Sequence, residues 1–254
     1  MDGLGGRLSG KRALMTGAGG LLGGDLARAF AAEGADLVLT TRTAAKLEPL
    51  ADELRDLGRR VEAIACDFAD NAAIDQLAER AWSAFGGIDV VLFSSQPPEP
   101  AMGTLLTTSE ADYLEQHQTI VWGPLRLMRA LAPRMMAAGG GSVITTISST
   151  GIDPTIGYSA YGLAKGSLAL LTRYMAQEWG KGGVRVNAFS PGTVATGDNA
   201  AEYEAMLRER GMLDRTALGR VGRNSDCTGL AVYLASDESA FTSGQRVFID
   251  GGRF

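Results

Sequence analysis

Ala13-Leu14-Met15-Thr16-Gly17-Ala18-Gly19-Gly20-Leu21-Leu22-Gly23 is the stretch whose reading decides the fold. Four strand-forming residues run into a glycine-rich turn, and the turn opens an amphipathic helical pattern over 22–33. A strand that delivers such a turn to a helix start leaves free backbone N–H groups and the positive end of the helix dipole aimed at one spot, which suits a pyrophosphate. Gly17, Gly19, Gly20, Leu22 and Gly23 would form that cradle, with glycine used because a Cβ would keep the backbone from closing in. Taken alone, the motif equally describes an ordinary tight strand-to-helix turn.

Outward from this stretch the same alternation repeats. Strands are expected at Ala13–Thr16, Asp36–Thr41, Val61–Cys66, Val90–Phe93, Ser142–Ser148, Arg185–Ser190 and Arg246–Ile249, with helical patterns over 22–33, 43–58, 70–85, 109–138, 158–181 and 223–236. Continuous apolar strands alternating with amphipathic helices predict an α/β, doubly wound parallel sheet of seven strands, covered on both faces. No linker or composition break divides the chain, so residues 1–254 read as a single domain. The Gln96–Pro100 stretch and the segment 197–219 follow the fourth and sixth strands at the carboxyl edge, where such sheets bind ligands. The latter carries a short helical patch over Glu202–Arg210 and is the candidate substrate lid.

Composition narrows the function classes. With 45% apolar and 21% charged residues the chain is globular, and its net charge of −5 with scattered basic residues excludes a nucleic-acid footprint. Cys66 and Cys227, the two cysteines, show neither metal spacing nor a disulfide framework, so no metal site is expected and a reducing cytoplasm fits. No apolar run approaches the roughly 18 residues of a membrane span.

Chemistry-bearing residues collect at the strand ends. The second strand ends in Thr40-Thr41-Arg42, without the acid that would bind a ribose diol and with an arginine able to grip a 2′-phosphate, so NADP(H) is favoured over NAD(H). No second basic residue occupies the glycine turn to reinforce Arg42. Asp67 after the third strand can accept a hydrogen bond from an adenine amino group or cap the following helix. Tyr161 and Lys165, four residues apart, share a helix face, and Ser148 lies thirteen residues before the tyrosine. A phenol titrates near pH 10 when unperturbed, and a neighbouring ammonium brings it toward the working range. Ser149 competes for the serine role; counting without gaps from Gly141-Ser142 forward and from Tyr161 backward selects Ser148.

On these residues the chain resembles the short-chain dehydrogenase/reductase family, nearly end to end. The matching landmarks are the glycine turn, Asp67, the Ser148, Tyr161 and Lys165 set, Asn187-Ala188-Phe189-Ser190-Pro191-Gly192 with Thr196, and the closing Ser243-Gly244-Gln245 through Asp250-Gly251-Gly252. The resemblance implies a Rossmann-like domain in which Tyr161 is the acid/base, Lys165 lowers its pKa and holds the nicotinamide ribose, and Ser148 orients the substrate. It further implies cofactor contacts from Phe68, Ser94, Ser95, Pro191 and Gly192, and nicotinamide contacts from Val194 and Thr196, with Asn187 structural. The implied activity is oxidation of an alcohol or reduction of a ketone with NADP(H), NAD(H) also being possible. A homodimer or homotetramer is implied through the helices over 109–138 and 158–181. Enoyl-reducing relatives usually space the tyrosine and lysine more widely than Tyr161 and Lys165.

Three departures define the competing reading. Leu21 stands where the middle glycine of the turn is expected, Phe93-Ser94-Ser95-Gln96 replaces an Asn-Asn-Ala-Gly run, and Ile120 takes the place of a helix asparagine that helps hold water behind the lysine. Isoleucine cannot hydrogen-bond. His117, the only histidine, sits one turn before Ile120 and is the candidate substitute relay. The alternative function is a non-redox relative, a dehalogenase-like lyase or a nucleotide-sensing binder. Gln96, Met102, Ile152, Pro154 and Tyr158 are candidate substrate-pocket residues.

Overall fold

The computed structural model describes residues 6–97, 101–195, 197 and 200–253. Seven strands form one parallel sheet: β1 (Arg12–Thr16), β2 (Asp36–Thr41), β3 (Val61–Ala65), β4 (Val90–Phe93), β5 (Gly141–Thr146), β6 (Val184–Pro191) and β7 (Arg246–Ile249). Their order is β3-β2-β1-β4-β5-β6-β7. Thr16 therefore lies between Thr40 of β2 and Phe93 of β4, and the chain reverses its direction of winding between β1 and β4. The crevice at that reversal is where such sheets hold ligands.

Residues 13–16 of β1 and 37–40 of β2 are buried, which explains the unbroken apolar character of 13–15 and 37–39: helices cover both faces. On one face Leu26 and Phe30 of α1 (Leu21–Ala32) pack with Leu234 of α8 (Asn224–Ala235). On the other, Ile74 and Leu77 of α3 (Asn71–Phe85) meet Leu127 and Leu131 of α5 (Gly123–Ala137). A third cluster joins Ile120, Ile147, Ala188 and Leu168, the last from α6 (Ser159–Trp179). The remaining helices are α2 (Glu48–Asp56), α4 (Glu110–His117) and α7 (Ala200–Glu209).

Three expectations are corrected. The fifth strand ends at Thr146 rather than Ser148, because Ser148 opens a tight turn over Ser149–Gly151 and its hydroxyl accepts the N–H of Thr150 at 3.3 Å. The continuous helix over 109–138 is two helices joined by a π turn at Gln118–Trp122. Pro124 has no N–H to give to the Ile120 carbonyl, and the N–H of Gly123 reaches back instead to the Gln118 carbonyl. Gly123 is required there: a Cβ would lie 2.6 Å from the Phe68 ring. Gln118 Nε2 donates to the Phe68 carbonyl at 3.1 Å, and Trp122 Nε1 donates to Asn71 Oδ1 at 3.1 Å, so the π turn is fastened to the loop after β3.

The region 43–58 likewise begins with a separate short turn, Ala44–Lys46, before α2. No helix among the described residues is long and apolar enough to cross a membrane.

Candidate active site

A cleft of about 710 Å³ opens over the carboxyl ends of β1, β4 and β5. Its floor is the glycine turn. Gly17 has φ +71°, and a Cβ on it would stand 2.6 Å from the Ser94 carbonyl carbon, so two strand ends touch backbone to backbone. A Cβ on Gly23 would fall 2.2 Å from the Gly17 carbonyl oxygen, which lets α1 start directly against the turn. Gly20 caps α1 without a side-chain hydrogen bond, and its first turn carries no acid, so its dipole faces the cleft uncompensated. Leu21 is 60% exposed and itself borders the cleft, so the residue that departs from glycine stands at the ligand-facing start of α1.

Gly17, Gly19, Gly20, Leu22 and Gly23 all line the cleft, as do Arg42, Asp67, Phe68, Ser94, Ser95, Pro191, Gly192 and Val194. Thr196 lies outside the described residues, as do Pro98, Glu99 and Pro100 of the loop after β4. The Thr16 hydroxyl accepts the N–H groups of Ser94 and Ser95 at 3.2 and 3.3 Å and holds that loop against β1. Of the two readings for Asp67, the helix cap is excluded: Asp70 caps α3, accepting from Ala72 and Ala73. Asp67 Oδ1 accepts from Ala69 N at 2.9 Å, which steadies the carboxylate in the cleft wall.

Ser148, Tyr161 and Lys165 converge on the opposite wall. Backbone proximity sets their relation. A Cβ on Gly151 would meet Gly166 N at 2.5 Å, and one on Gly162 would meet the Thr150 carbonyl oxygen at 2.9 Å, so the turn that starts at Ser148 lies flush on α6. Ser148 faces the cleft. Ser149 instead commits its carbonyl to the N–H groups of Ile152 and Asp153, both at 2.8 Å.

Lys165 is 3% exposed, and its Nζ donates to the Thr146 carbonyl at 2.7 Å. Burial pulls the ammonium down to about 8. The Tyr161 phenol is pushed up by its own burial, while the Ser148 hydroxyl pulls it the other way and Tyr158 adds to the rise. Lys165 Nζ lies 5.6 Å from the centre of the Tyr161 ring. Desolvation of the phenol thus outweighs the hydrogen bond from Ser148.

Glu115, Thr119, Thr146 and Lys46 also border the cleft and escaped the sequence reading. The π turn explains Thr119, since the wider turn changes which side chains of this helix face inward. Ile120, at 1% exposure, packs in the cluster that Tyr161 borders. His117 is turned elsewhere: Nδ1 lies 3.0 Å from the Tyr113 carbonyl oxygen, its ring stacks 4.2 Å from that of Tyr113, and it lines a separate apolar groove with Trp122 and Leu125. Of the candidate substrate contacts only Gln96 borders the cleft; Met102, Ile152, Pro154 and Tyr158 do not. Asn187 is fully buried, donating to the Thr242 carbonyl and accepting from Gln245 N, so it ties β6 to the start of β7.

The residues fit a dinucleotide: a backbone cradle that side chains would fill, a helix dipole at its centre and a cleft within the usual range for cofactor sites. A family model described as enoyl-(acyl carrier protein) reductase matches residues 18–253. An uncharacterized oxidoreductase of Mycobacterium tuberculosis is 39% identical over 249 residues, 97% of this chain and 93% of that one. A 7α-hydroxysteroid dehydrogenase solved with NADH and 7-oxo glycochenodeoxycholic acid is 28% identical with a TM-score of 0.90, covering 100% of this chain and 98% of its own. The L-sorbose reductase of Gluconobacter frateurii, solved with NADPH and L-sorbose, is 28% identical with a TM-score of 0.88, covering 97% of both chains.

Proposed function

From the premise that the chain belongs to the short-chain dehydrogenase/reductase family and is an NAD(P)-dependent oxidoreductase of that family, we propose that it interconverts a ketone and a secondary alcohol, with NADP(H) preferred to NAD(H). The observation that carries this reading is the convergence of Ser148, Tyr161 and Lys165 on the cleft whose floor is the glycine turn.

A nicotinamide dinucleotide bound there supplies or accepts the hydride. Tyr161 donates its phenolic proton to the substrate oxygen as a carbonyl is reduced, and takes a proton back in the reverse direction. Its elevated pKa suits donation. The Ser148 hydroxyl holds the same oxygen, and Lys165, pinned by the Thr146 carbonyl, keeps an ammonium beside the phenol. Asp67 accepts from the adenine amino group. Val194, which borders the cleft, would contact the nicotinamide, the role the family likeness also implies for Thr196. The four-residue spacing from Tyr161 to Lys165 supports carbonyl rather than enoyl chemistry, whatever the family model's description.

Arg42 supports the NADP(H) preference, because Thr41 stands at the β2 end where a carboxylate would repel a 2′-phosphate. The segment 197–219 serves as the substrate lid: Leu207 and Leu213 pack with Val221 in a small cluster of their own. An exposed apolar stripe on α6, formed by Leu163, Leu170 and Tyr174, supports a homodimer or homotetramer.

A panel of ketones and secondary alcohols followed by nicotinamide absorbance, with Tyr161→Phe as control, tests the chemistry. Turnover that depends on Tyr161 is expected. Dinucleotide binding with no turnover and no effect of Tyr161→Phe would favour the non-redox alternative, a lyase or a nucleotide-sensing binder. Equal kcat/KM with NADPH and NADH would remove the cofactor preference.

A further inference from the structure

We propose that Lys46 is the second cation of a phosphate clamp, closing with Arg42 on the 2′-phosphate of the dinucleotide and setting cofactor choice. This rests on the NADP(H) reading above and adds to it a residue that no glycine-turn motif contains.

The short turn after β2 brings the two together. Lys46 N donates to the Thr43 carbonyl at 3.0 Å and Leu47 N to the Ala44 carbonyl at 2.7 Å. Leu47, fully buried, anchors the turn in the core. Lys46 is thereby fixed at its backbone while its side chain stays exposed at the cleft, four residues along from Arg42 and bordering the same cavity. Thr41 packs against the glycine turn, its Oγ1 3.1 Å from where a Gly19 Cβ would be. This end of the cleft thus gathers two cations around a neutral hydroxyl.

Charge pairing separates these two from the other basic residues nearby. Arg28 is held by Glu53 and Asp25, and Arg55 by Asp52 and Glu48. Glu48 follows Lys46 by only two positions, yet its carboxylate turns to Arg55 at 3.6 Å. Among the described residues neither Arg42 nor Lys46 has a carboxylate within ion-pair distance. A phosphate monoester carries between about one and a half and two negative charges near neutrality. An arginine fork and a lysine point charge together match that charge, and they divide the work: planar hydrogen bonding from one, neutralisation from the other.

Equilibrium binding, by calorimetry or nicotinamide fluorescence, tests the clamp with NADPH, NADH and the fragments adenosine 2′,5′-bisphosphate and 5′-AMP. Lys46→Ala is expected to weaken NADPH and the bisphosphate about five- to tenfold, the size of an exposed charge-assisted contact, and to leave NADH and AMP within about twofold. Lys46→Arg restores the affinity. Arg42→Ala/Lys46→Ala removes the preference, and added salt weakens NADPH more than NADH in wild type but not in the double variant.

A wild type that binds NADPH and NADH equally overturns both the clamp and the cofactor reading. A wild type that prefers NADPH through Arg42 but is indifferent to Lys46→Ala overturns the clamp alone. Equal losses for NADPH and NADH in Lys46→Ala overturn it as well.

Discussion

The two ends of the cleft are built on opposite principles. At the Tyr161 end, position is imposed by backbone contact: Gly151 on Gly166, Gly162 on Thr150, and a buried lysine tied to the Thr146 carbonyl. At the Arg42 end, two long exposed cations border the cleft at the end of β2 and the turn after it, with no carboxylate in ion-pair distance among the described residues. Burial governs the first, shifting both titrating groups away from their ordinary values. Solvent and salt govern the second. One end of the site is therefore hard to alter without misplacing atoms, and the other is open to retuning by single charge changes.

The largest effect should come from the hard end. Tyr161→Phe removes the proton donor without changing shape, and kcat should fall by about 10² to 10⁴ while NADPH binding stays within about twofold. Single-turnover kinetics beside equilibrium titration separate the two. A comparable loss of affinity would mean that the phenol mainly holds the dinucleotide.

Lys165 offers a stability test of the same burial. Its folded-state pKa of about 8 lies below the ordinary 10.5, so between those values the unfolded chain binds the extra proton. Stability from this group therefore rises with pH across that window, and the full penalty, about 3 kcal/mol, applies below it. In urea titrations Lys165→Met should gain most on wild type near pH 7, and the gap should narrow by pH 10. A gap independent of pH would contradict the buried ammonium.

Gly151→Ala probes the backbone contact directly. Its new Cβ would stand 2.5 Å from Gly166 N, and the forced separation should cost about 1–3 kcal/mol and lower kcat more than it raises the KM for NADPH. Thermal melts and steady-state kinetics would show it. The smallest effect belongs to Leu21→Gly at the glycine turn. At the first position of α1, where Leu21 is 60% exposed, glycine should cost less than the ~1 kcal/mol of a helix interior and change cofactor affinity less than about threefold.

The sheet was legible because parallel strands buried on both faces must be continuously apolar, and Leu37-Val38-Leu39 and Val90-Val91-Leu92 can hardly be read otherwise. The Ser148, Tyr161 and Lys165 set was legible because helix periodicity and strand ends fix where such side chains go. The features that escaped depend on contacts between distant segments. The break of the helix at Gln118–Trp122 sets Gly123 tightly against Phe68, which local pattern does not reveal, and Thr119 within that turn borders the cleft. His117 lies one turn before Ile120 on an ideal helix, but its ring packs on Tyr113 beside a separate groove. The phenol's upward shift is hidden because spacing gives proximity but says nothing of desolvation. Lys46 belongs to no glycine-turn motif, and only the fold after β2 turns its offset of four from Arg42 into a shared cavity wall.

A π turn amounts to one surplus residue threaded into a helix. Excising that surplus residue from Gln118–Trp122 would let the chain from Glu110 to Ala137 run as an unbroken α-helix with its two ends in nearly the same rotational register, because a π turn with one more residue sweeps about the same angle as an α turn. The change would stay local: if Gln118 is the residue removed, the Phe68 carbonyl loses its donor and the tie between this helix and the loop after β3 weakens. The extra residue is therefore a local fastening, and a single-codon deletion there would loosen one wall of the cleft while leaving the faces of both helices and the sheet beneath untouched.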